Sequence, residues 1–244
     1  TDEEMKDYCL ESFRQLLKQQ SHPEDTAACL IEPVLGEGGY VVPPEGFLSE
    51  LKQICKENNI LLICDEVQSG FGRTGKYFAV EHFGVSPDVL VCAKGLASGY
   101  PLSMVVSRRE IFDAQPPGSM GGTYAGNAVS CAAAKATIEI FEEEKLVENS
   151  RIRGEQFTKR LLAMQKSGLP IKEVRGRGLM IATEFGDNCP YNKVIQSCYE
   201  QKMLVLAASI FNTLRYIPAL TVSEKELELG MDILETAIKS SVQQ

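Results

Sequence analysis

Short runs of unbroken apolar residues alternate along this chain with longer segments in which apolar residues recur every three or four positions. In residues 3–19, Met5, Tyr8, Cys9, Phe13, Leu16 and Leu17 fall at helical spacing. In residues 47–58, Leu48, Leu51, Ile54 and Cys55 share one helical face. Residues 27–31, 60–64 and Val89–Cys92 are brief and apolar on both sides, as strands buried in a parallel sheet are. A short helical piece is predicted over residues 78–83 and a further strand over 102–106. Strand, helix, strand alternation predicts an α/β fold, a parallel sheet with crossover helices.

The pattern changes downstream. Pro116-Pro117-Gly118-Ser119-Met120-Gly121-Gly122 must be a loop. A long helix follows over 127–144 and a second from 146 to about 165. From Ile171 the apolar runs shorten, and strands are predicted at 171–174, 179–185, 204–206 and 213–216, with helices near 191–202 and 223–239. This predicts two domains: residues 1–150 within a large sheet domain, and 151–244 as a smaller α+β domain.

Composition narrows the functional classes. The 244 residues are 44% apolar, enough for a real core. The net charge is −8 with no basic cluster, which argues against a nucleic-acid partner. No stretch approaches the roughly 20 apolar residues of a membrane span. Thr1-Asp2-Glu3-Glu4 is acidic, the opposite of a cationic signal-peptide start. Eight cysteines occur without a CxxC pair and read as reduced core thiols in a reducing compartment. With two histidines and no cysteine pair, no structural metal site is expected.

The candidate chemistry lies where the central strands end. The run 60–64 is followed by Asp65-Glu66-Val67-Gln68, and Val89–Cys92 by Ala93-Lys94-Gly95. In open α/β sheets ligands sit outside the carboxyl ends of the strands. An acid and an amine at that edge suit an aldehyde cofactor: the amine forms a Schiff base, and the acid holds a pyridine nitrogen protonated. That cofactor is pyridoxal 5′-phosphate. Taken singly, Lys94 reads as a surface lysine and Asp65 as a solvated acid or helix cap. A competing reading takes the acidic strand as a Walker B element and Gly70-Phe71-Gly72-Arg73-Thr74-Gly75-Lys76 as a P-loop. However, Tyr77 stands where a Ser or Thr should meet magnesium, and the order of the two motifs is reversed.

Four motifs stand in order. They are Ile31-Glu32-Pro33-Val34-Leu35-Gly36-Glu37-Gly38-Gly39, the run from Asp65 through Gly75, Ala93-Lys94-Gly95, and Gly121-Gly122-Thr123-Tyr124-Ala125-Gly126-Asn127. Together they closely resemble the class III pyridoxal-phosphate aminotransferases of fold type I, over residues 1 to 240. Within that family the chain is most similar to the 4-aminobutyrate aminotransferases.

The resemblance implies part of a large, mostly parallel-sheet domain plus a small carboxyl-terminal α+β domain. It implies transfer of an amino group from an ω-amino acid to 2-oxoglutarate. Asp65 would pair with the pyridine nitrogen, Gln68 would lie near the phenolic oxygen, and Lys94 would be the Schiff-base lysine and proton carrier. Thr123 would reach the phosphate of the neighbouring subunit in a homodimer. Arg215, in Leu214-Arg215-Tyr216-Ile217-Pro218, would grip the α-carboxylate, and Glu37 would pair with it when that group is absent. Glu32 precedes a proline and ranks below Glu37. Arg73 and Thr74 lie in a glycine-rich loop and read as shaping the backbone.

The sequence also departs from the family pattern. The family's amino-terminal part, with its phosphate-cradling loop, its ring-stacking aromatic and its distal-carboxylate arginine, has no counterpart here. The chain thus resembles the carboxyl-terminal part of such an enzyme, with one sheet edge or face left open. Leu35 stands where relatives often carry Gln. Ornithine, acetylornithine or β-alanine aminotransferases and a non-catalytic fragment stay open as alternatives, as does a cytoplasmic against a mitochondrial location.

Overall fold

The computed structural model describes residues 1–208 and 211–242. They divide into two compact units. The first comprises Thr1–Pro33, Pro43–Phe71 and Phe78–Glu144. The second comprises Val34–Val42, Gly72–Tyr77 and Lys145–Gln244.

In the first unit the chain runs through α1 (Asp2–Gln19), β1 (Ala28–Ile31), α2 (Phe47–Glu57), β2 (Leu61–Asp65), β3 (Val89–Cys92), β4 (Met104–Ser107), α3 (Arg109–Asp113) and α4 (Ala128–Glu143). The sheet order is β1-β2-β3-β4. The apolar stripes of the first two helices build its core: Leu10 and Leu17 of α1 and Leu48, Leu51 and Ile54 of α2 pack with Leu62, Cys64 and Val80. The first three strands are parallel, with Ala28 opposite Leu61 and Asp65 opposite Val91.

Two features differ from the sequence expectation. β4 runs antiparallel to β3, with Cys92 opposite Met104. Residues 93–103 form the whole connection, and a parallel return needs a crossover of about a dozen residues or more. The single-turn α3 carries too few residues to show a helical apolar period. By contrast α4 starts where its capping residue stands: Asn127 Oδ1 accepts from the backbone N–H of Val129 and Ser130, both at 3.1 Å. Its face of small residues, with Ser130 and Ala134 buried, packs on the turn Lys94–Ala97.

The second unit contains α5 (Leu146–Lys166), β5 (Ile171–Arg177), β6 (Met180–Phe185), α6 (Tyr191–Glu200), β7 (Leu206–Ala207), β8 (Thr213–Tyr216) and α7 (Glu224–Val242). Its sheet is antiparallel in the order β5-β6-β8-β7. Phe157, Leu161, Leu179, Leu214, Met231 and Leu234 lie at the centre of its core. Arg160 ties α5 to α7 through Glu228 (2.8 Å), Asp232 (2.7 Å) and Glu235 (3.1 Å). The strand expected at 204–206 is displaced to Leu206–Ala207, where β8 offers pairing.

All eight cysteines are free thiols, and five are buried. Burial pushes the Cys64 thiol up to about 12 and that of Cys92 to about 11, which marks them as packing groups rather than nucleophiles. Among the described residues no helix is long and apolar enough to cross a membrane.

One close approach fixes the second unit. Gly154 of α5 lies directly against the turn at Gly178; a Cβ at position 154 would stand 2.2 Å from the Gly178 carbonyl oxygen and 2.6 Å from its Cα. On helix propensity alone, Gly154→Ala would stabilise by about 1 kcal/mol. The backbone clash should reverse the sign, and we expect a net loss of about 3 kcal/mol in urea denaturation. A neutral or stabilised variant would contradict this packing.

Candidate functional site

Parallel pairing brings the first set of candidate residues to one sheet edge. β2 ends at Asp65, and β3, its parallel neighbour, ends two residues before Lys94. The Glu66 N–H donates to Val91 O at 2.8 Å and extends the ladder to that edge. The two segments then touch: a Cβ on Gly95 would lie 3.1 Å from the Cβ of Phe71. Both turns are strained. Lys94 has φ 43° and Phe71 φ 50°, a left-handed backbone that side chains other than glycine rarely adopt. Strain of this kind gathers at functional sites and is held by the packing around it.

At this edge Asp65 is half-buried, and its Oδ1 accepts from the Val67 N–H at 2.9 Å. Lys94 is exposed. Gln68 carries a buried Oε1 with no hydrogen-bond partner among the described residues. A buried amide without a partner costs free energy, and such groups in native structures point to a ligand or water. The amide's oxygen and nitrogen are assigned by context, so it can offer a donor or an acceptor there. This edge therefore presents an unpartnered amide, a carboxylate with one oxygen committed to the backbone, and an exposed amine.

The acid next to Asp65 has a different task. Glu66 is 0% exposed, and it accepts from Ser69 Oγ (2.6 Å), Ala79 N (3.0 Å) and Val80 N (2.8 Å). It thereby pins the loop that follows β2. Burial pushes its carboxyl above the ordinary value, against the pull of those three donors. Thr123 is exposed in the turn before α4 and makes no hydrogen bond among the described residues.

The second set lies within the other unit. Arg215 stands in β8, only 6% exposed. Its guanidinium forms a two-pronged pair with Glu37, Nη1–Oε1 at 2.7 Å and Nη2–Oε2 at 3.0 Å, and its Nε donates to Ala207 O at 3.1 Å. Glu37 itself is 68% exposed at its side chain. The arginine is thus fixed on a strand and buried, and its partner sits on a wet loop. Tyr40 covers the arginine, with its ring centroid 5.6 Å from the guanidinium carbon.

Two further arginines hold this loop and the glycine-rich segment. Arg175 donates to Gly39 O at 2.8 Å and is itself held by Glu184 at 3.0 Å and Glu173 at 2.8 Å. Arg73 donates to Pro218 O at 2.6 Å and to Leu179 O at 3.4 Å, so its role is to tie backbone segments.

Sequence reasoning missed Glu66, Tyr40 and Arg175 as site-building groups. For Glu66 a signal existed: Leu62, Cys64 and Glu66 continue the period of two that marks the inward face of β2. Tyr40 and Arg175 act through tertiary contacts and leave no local pattern.

Comparison with known proteins follows this geometry. A family model described as aminotransferase class-III matches residues 1–238. The chain is 41% identical over 237 residues to the 5-aminovalerate aminotransferase DavT of Pseudomonas putida, covering 94% of this chain and 56% of that protein. It is 37% identical over 247 residues to the 4-aminobutyrate aminotransferase GabT of Escherichia coli K12, covering 98% of this chain and 58% of GabT. Among solved structures, the ornithine aminotransferase of Toxoplasma gondii, described as holding pyridoxal phosphate at partial occupancy in its active site, superimposes with a TM-score of 0.87 at 33% identity. That match covers 93% of this chain and 54% of the other. The chain therefore spans little more than half the length of the curated relatives it matches.

The Glu184 support, through Arg175, of the loop that carries Glu37 can be tested by pH. Lys172 first, then Arg175, holds the Glu184 carboxyl below its ordinary value of 4.5. A depressed folded-state value means the stabilisation is full above about pH 4.5 and is lost as pH falls through the folded value. Glu184→Gln should therefore be less stable than the parent near neutral pH, and urea melts should show that gap narrowing towards about pH 3. A gap that stays constant would show that Glu184 does not carry the loop.

Proposed function

The chain belongs to the class III aminotransferases, a pyridoxal 5′-phosphate-dependent family of fold type I, and from that membership we propose that it bears the cofactor-anchoring and carboxylate-gripping residues of an ω-amino acid aminotransferase. The amino donor we assign is 4-aminobutyrate and the acceptor 2-oxoglutarate. The observation that carries the reading is the delivery of Asp65 and Lys94 to one edge by adjacent parallel strands, with Lys94 held in a strained turn. When bound, the cofactor would supply an aldehyde for covalent attachment and a ring that accepts the electrons of a bond broken at the substrate's amine-bearing carbon.

The protein's own groups then divide the work. Asp65 keeps the pyridine nitrogen protonated, because an ionised carboxylate beside it favours the charged ring. Gln68 satisfies its buried amide at the phenolic oxygen. Lys94, exposed and in no ion pair among the described residues, is the covalent anchor and afterwards carries a proton at Nζ to and from the substrate carbon. Thr123, exposed before α4, serves the phosphate of a neighbouring subunit in a homodimer.

Arg215 and Glu37 sort the substrates. A bidentate guanidinium matches a carboxylate in shape and charge. A donor without an α-carboxylate leaves the Arg215–Glu37 pair closed. A substrate with one takes the fork and releases Glu37 to water, where its exposed carboxylate is readily hydrated. The buried arginine keeps a partner in both states; stripping it of one would cost roughly 3–5 kcal/mol.

In the enzyme that carries this chain, borohydride reduction should fix the pyridoxyl group on the peptide containing Lys94; label on Lys76 instead would overturn the assignment. Asp65→Asn should still bind cofactor yet slow turnover by roughly two orders of magnitude or more. Arg215→Ala should damage the 2-oxo acid half-reaction far more than the 4-aminobutyrate half-reaction, and Glu37→Ala should do the reverse. Equal losses in both half-reactions would return the pair to a structural role.

A further inference from the structure

Phe71 stands where a glycine would be easier. Its backbone has φ 50°, a left-handed conformation that strains a residue with a Cβ and costs glycine almost nothing. Glycines flank it at 70 and 72, so backbone freedom is already provided there. The side chain is nevertheless kept, and it is only 6% exposed. Two edge-to-face partners fix its ring, Phe78 at 5.7 Å and Phe141 of α4 at 6.4 Å between centroids. The backbone just before it is fixed as well. The Gly70 N–H donates to Glu66 O at 3.0 Å, and a Cβ on Gly70 would stand 2.7 Å from that oxygen.

A ring held in this way also fixes the Cβ that bears it, and that Cβ lies against the turn carrying Lys94. A Cβ on Gly95 would meet the Phe71 Cβ at 3.1 Å and its Cγ at 3.9 Å. Among the described residues outside the turn itself, nothing else would come within 4 Å of it. Phe71 is therefore the wall on that side. The other end of the turn is anchored by Leu96 and Ala97, both buried, and by the Leu96 N–H, which donates to Ala93 O at 3.0 Å. Lys94, at φ 43°, is the strained residue of this turn. α4 packs on the same turn and supplies Phe141 to the Phe71 ring, so one side chain joins both supports.

We infer that Phe71 is a positioning residue for Lys94: its Cβ is the stop on which the Gly95 backbone rests, and its ring locks that stop to Phe78 and to α4. The inference rests on the reading of Lys94 as the covalent anchor. Phe71 acts through the turn and touches no reacting atom. Strained backbone persists only where the surrounding packing holds it. Without the stop, the turn at Lys94 relaxes and its amine spreads over more positions.

The test uses the cofactor-loaded enzyme that carries this chain. The variants are Phe71→Leu, Phe71→Ala and Phe71→Gly, with Leu51→Ala as a core truncation elsewhere in the same unit. Urea stability, amide hydrogen exchange over residues 93–100, and kcat and KM of the overall reaction are measured. Packing and positioning rank the variants differently. Phe71→Ala and Phe71→Gly lose the same ring, but glycine sheds the strain of the left-handed backbone and should be at least as stable as alanine. Only Phe71→Gly removes the stop. It should exchange fastest over 93–100 and lose about tenfold in kcat with KM within about twofold of the parent. Phe71→Ala should fall between it and the parent, and Phe71→Leu should keep most of the rate. Leu51→Ala should lose stability with exchange over 93–100 unchanged. If exchange and kcat instead follow stability, with Phe71→Ala or Leu51→Ala hit at least as hard as Phe71→Gly, Phe71 is a core residue and the inference falls. Borohydride reduction of the parent separates this from the reading beneath it. Pyridoxyl label away from Lys94 would overturn the anchor and the inference together. Label on Lys94, with Phe71→Gly indistinguishable from the parent, would remove only the role of Phe71.

Discussion

The parallel hydrogen-bonded register between β2 and β3 is the constraint from which the candidate chemistry follows. Parallel neighbours end on the same side, so any group placed just past the carboxyl end of each arrives at a common edge. Asp65 opposite Val91 sets the offset, and the Glu66-to-Val91 hydrogen bond carries the ladder past the last strand residue. A slip of one residue would exchange the faces of β2 and drive Asp65 inward in place of Glu66. Glu66 opposes that slip, since its buried carboxylate, which accepts from Ser69, Ala79 and Val80, would be turned outward.

In the second unit, one buried charge plays the comparable part. Arg215 lies on a strand whose four residues are all buried, and its own fork reaches Glu37 and two backbone carbonyls. The loop that supplies Glu37 cannot be arbitrary in shape. Arg175 grips it at Gly39, and a Cβ there would meet the Arg175 guanidinium at 3.1 Å. The fixed member of the pair is thus the strand arginine, and the movable member is the exposed acid.

Much of this was legible in the sequence, for physical reasons. The central strands are buried or half-buried along their whole length, so their apolar runs are unbroken and their ends can be read to within a residue; Val89–Cys92 is the clearest. Asp65 and Lys94 stood out because charges abruptly follow those runs. The helix expected over 127–144 begins as its sequence bounds had it, with Asn127 as the cap that the structure shows. The direction of β4 was not legible from its residues, because direction depends on connection length. Arg215 and Glu37 came from family resemblance rather than pattern, and Tyr40 from neither. Its position depends on a loop reversal that only the folded backbone shows.

The second unit is discontinuous in the chain: Val34–Val42 and Gly72–Tyr77 belong to it, although most of it begins at Lys145. These early segments leave the ribosome long before the strand that carries Arg215. They must wait for it, and a long sequence separation of this kind slows folding. Gene architecture is constrained in the same way. A piece cut at Lys145 would keep the arginine and lose both Glu37 and Tyr40, leaving a guanidinium in a dry pocket without its acid. The small unit is therefore not a transferable module, and recombination or domain shuffling at that boundary would be selected against on folding grounds alone.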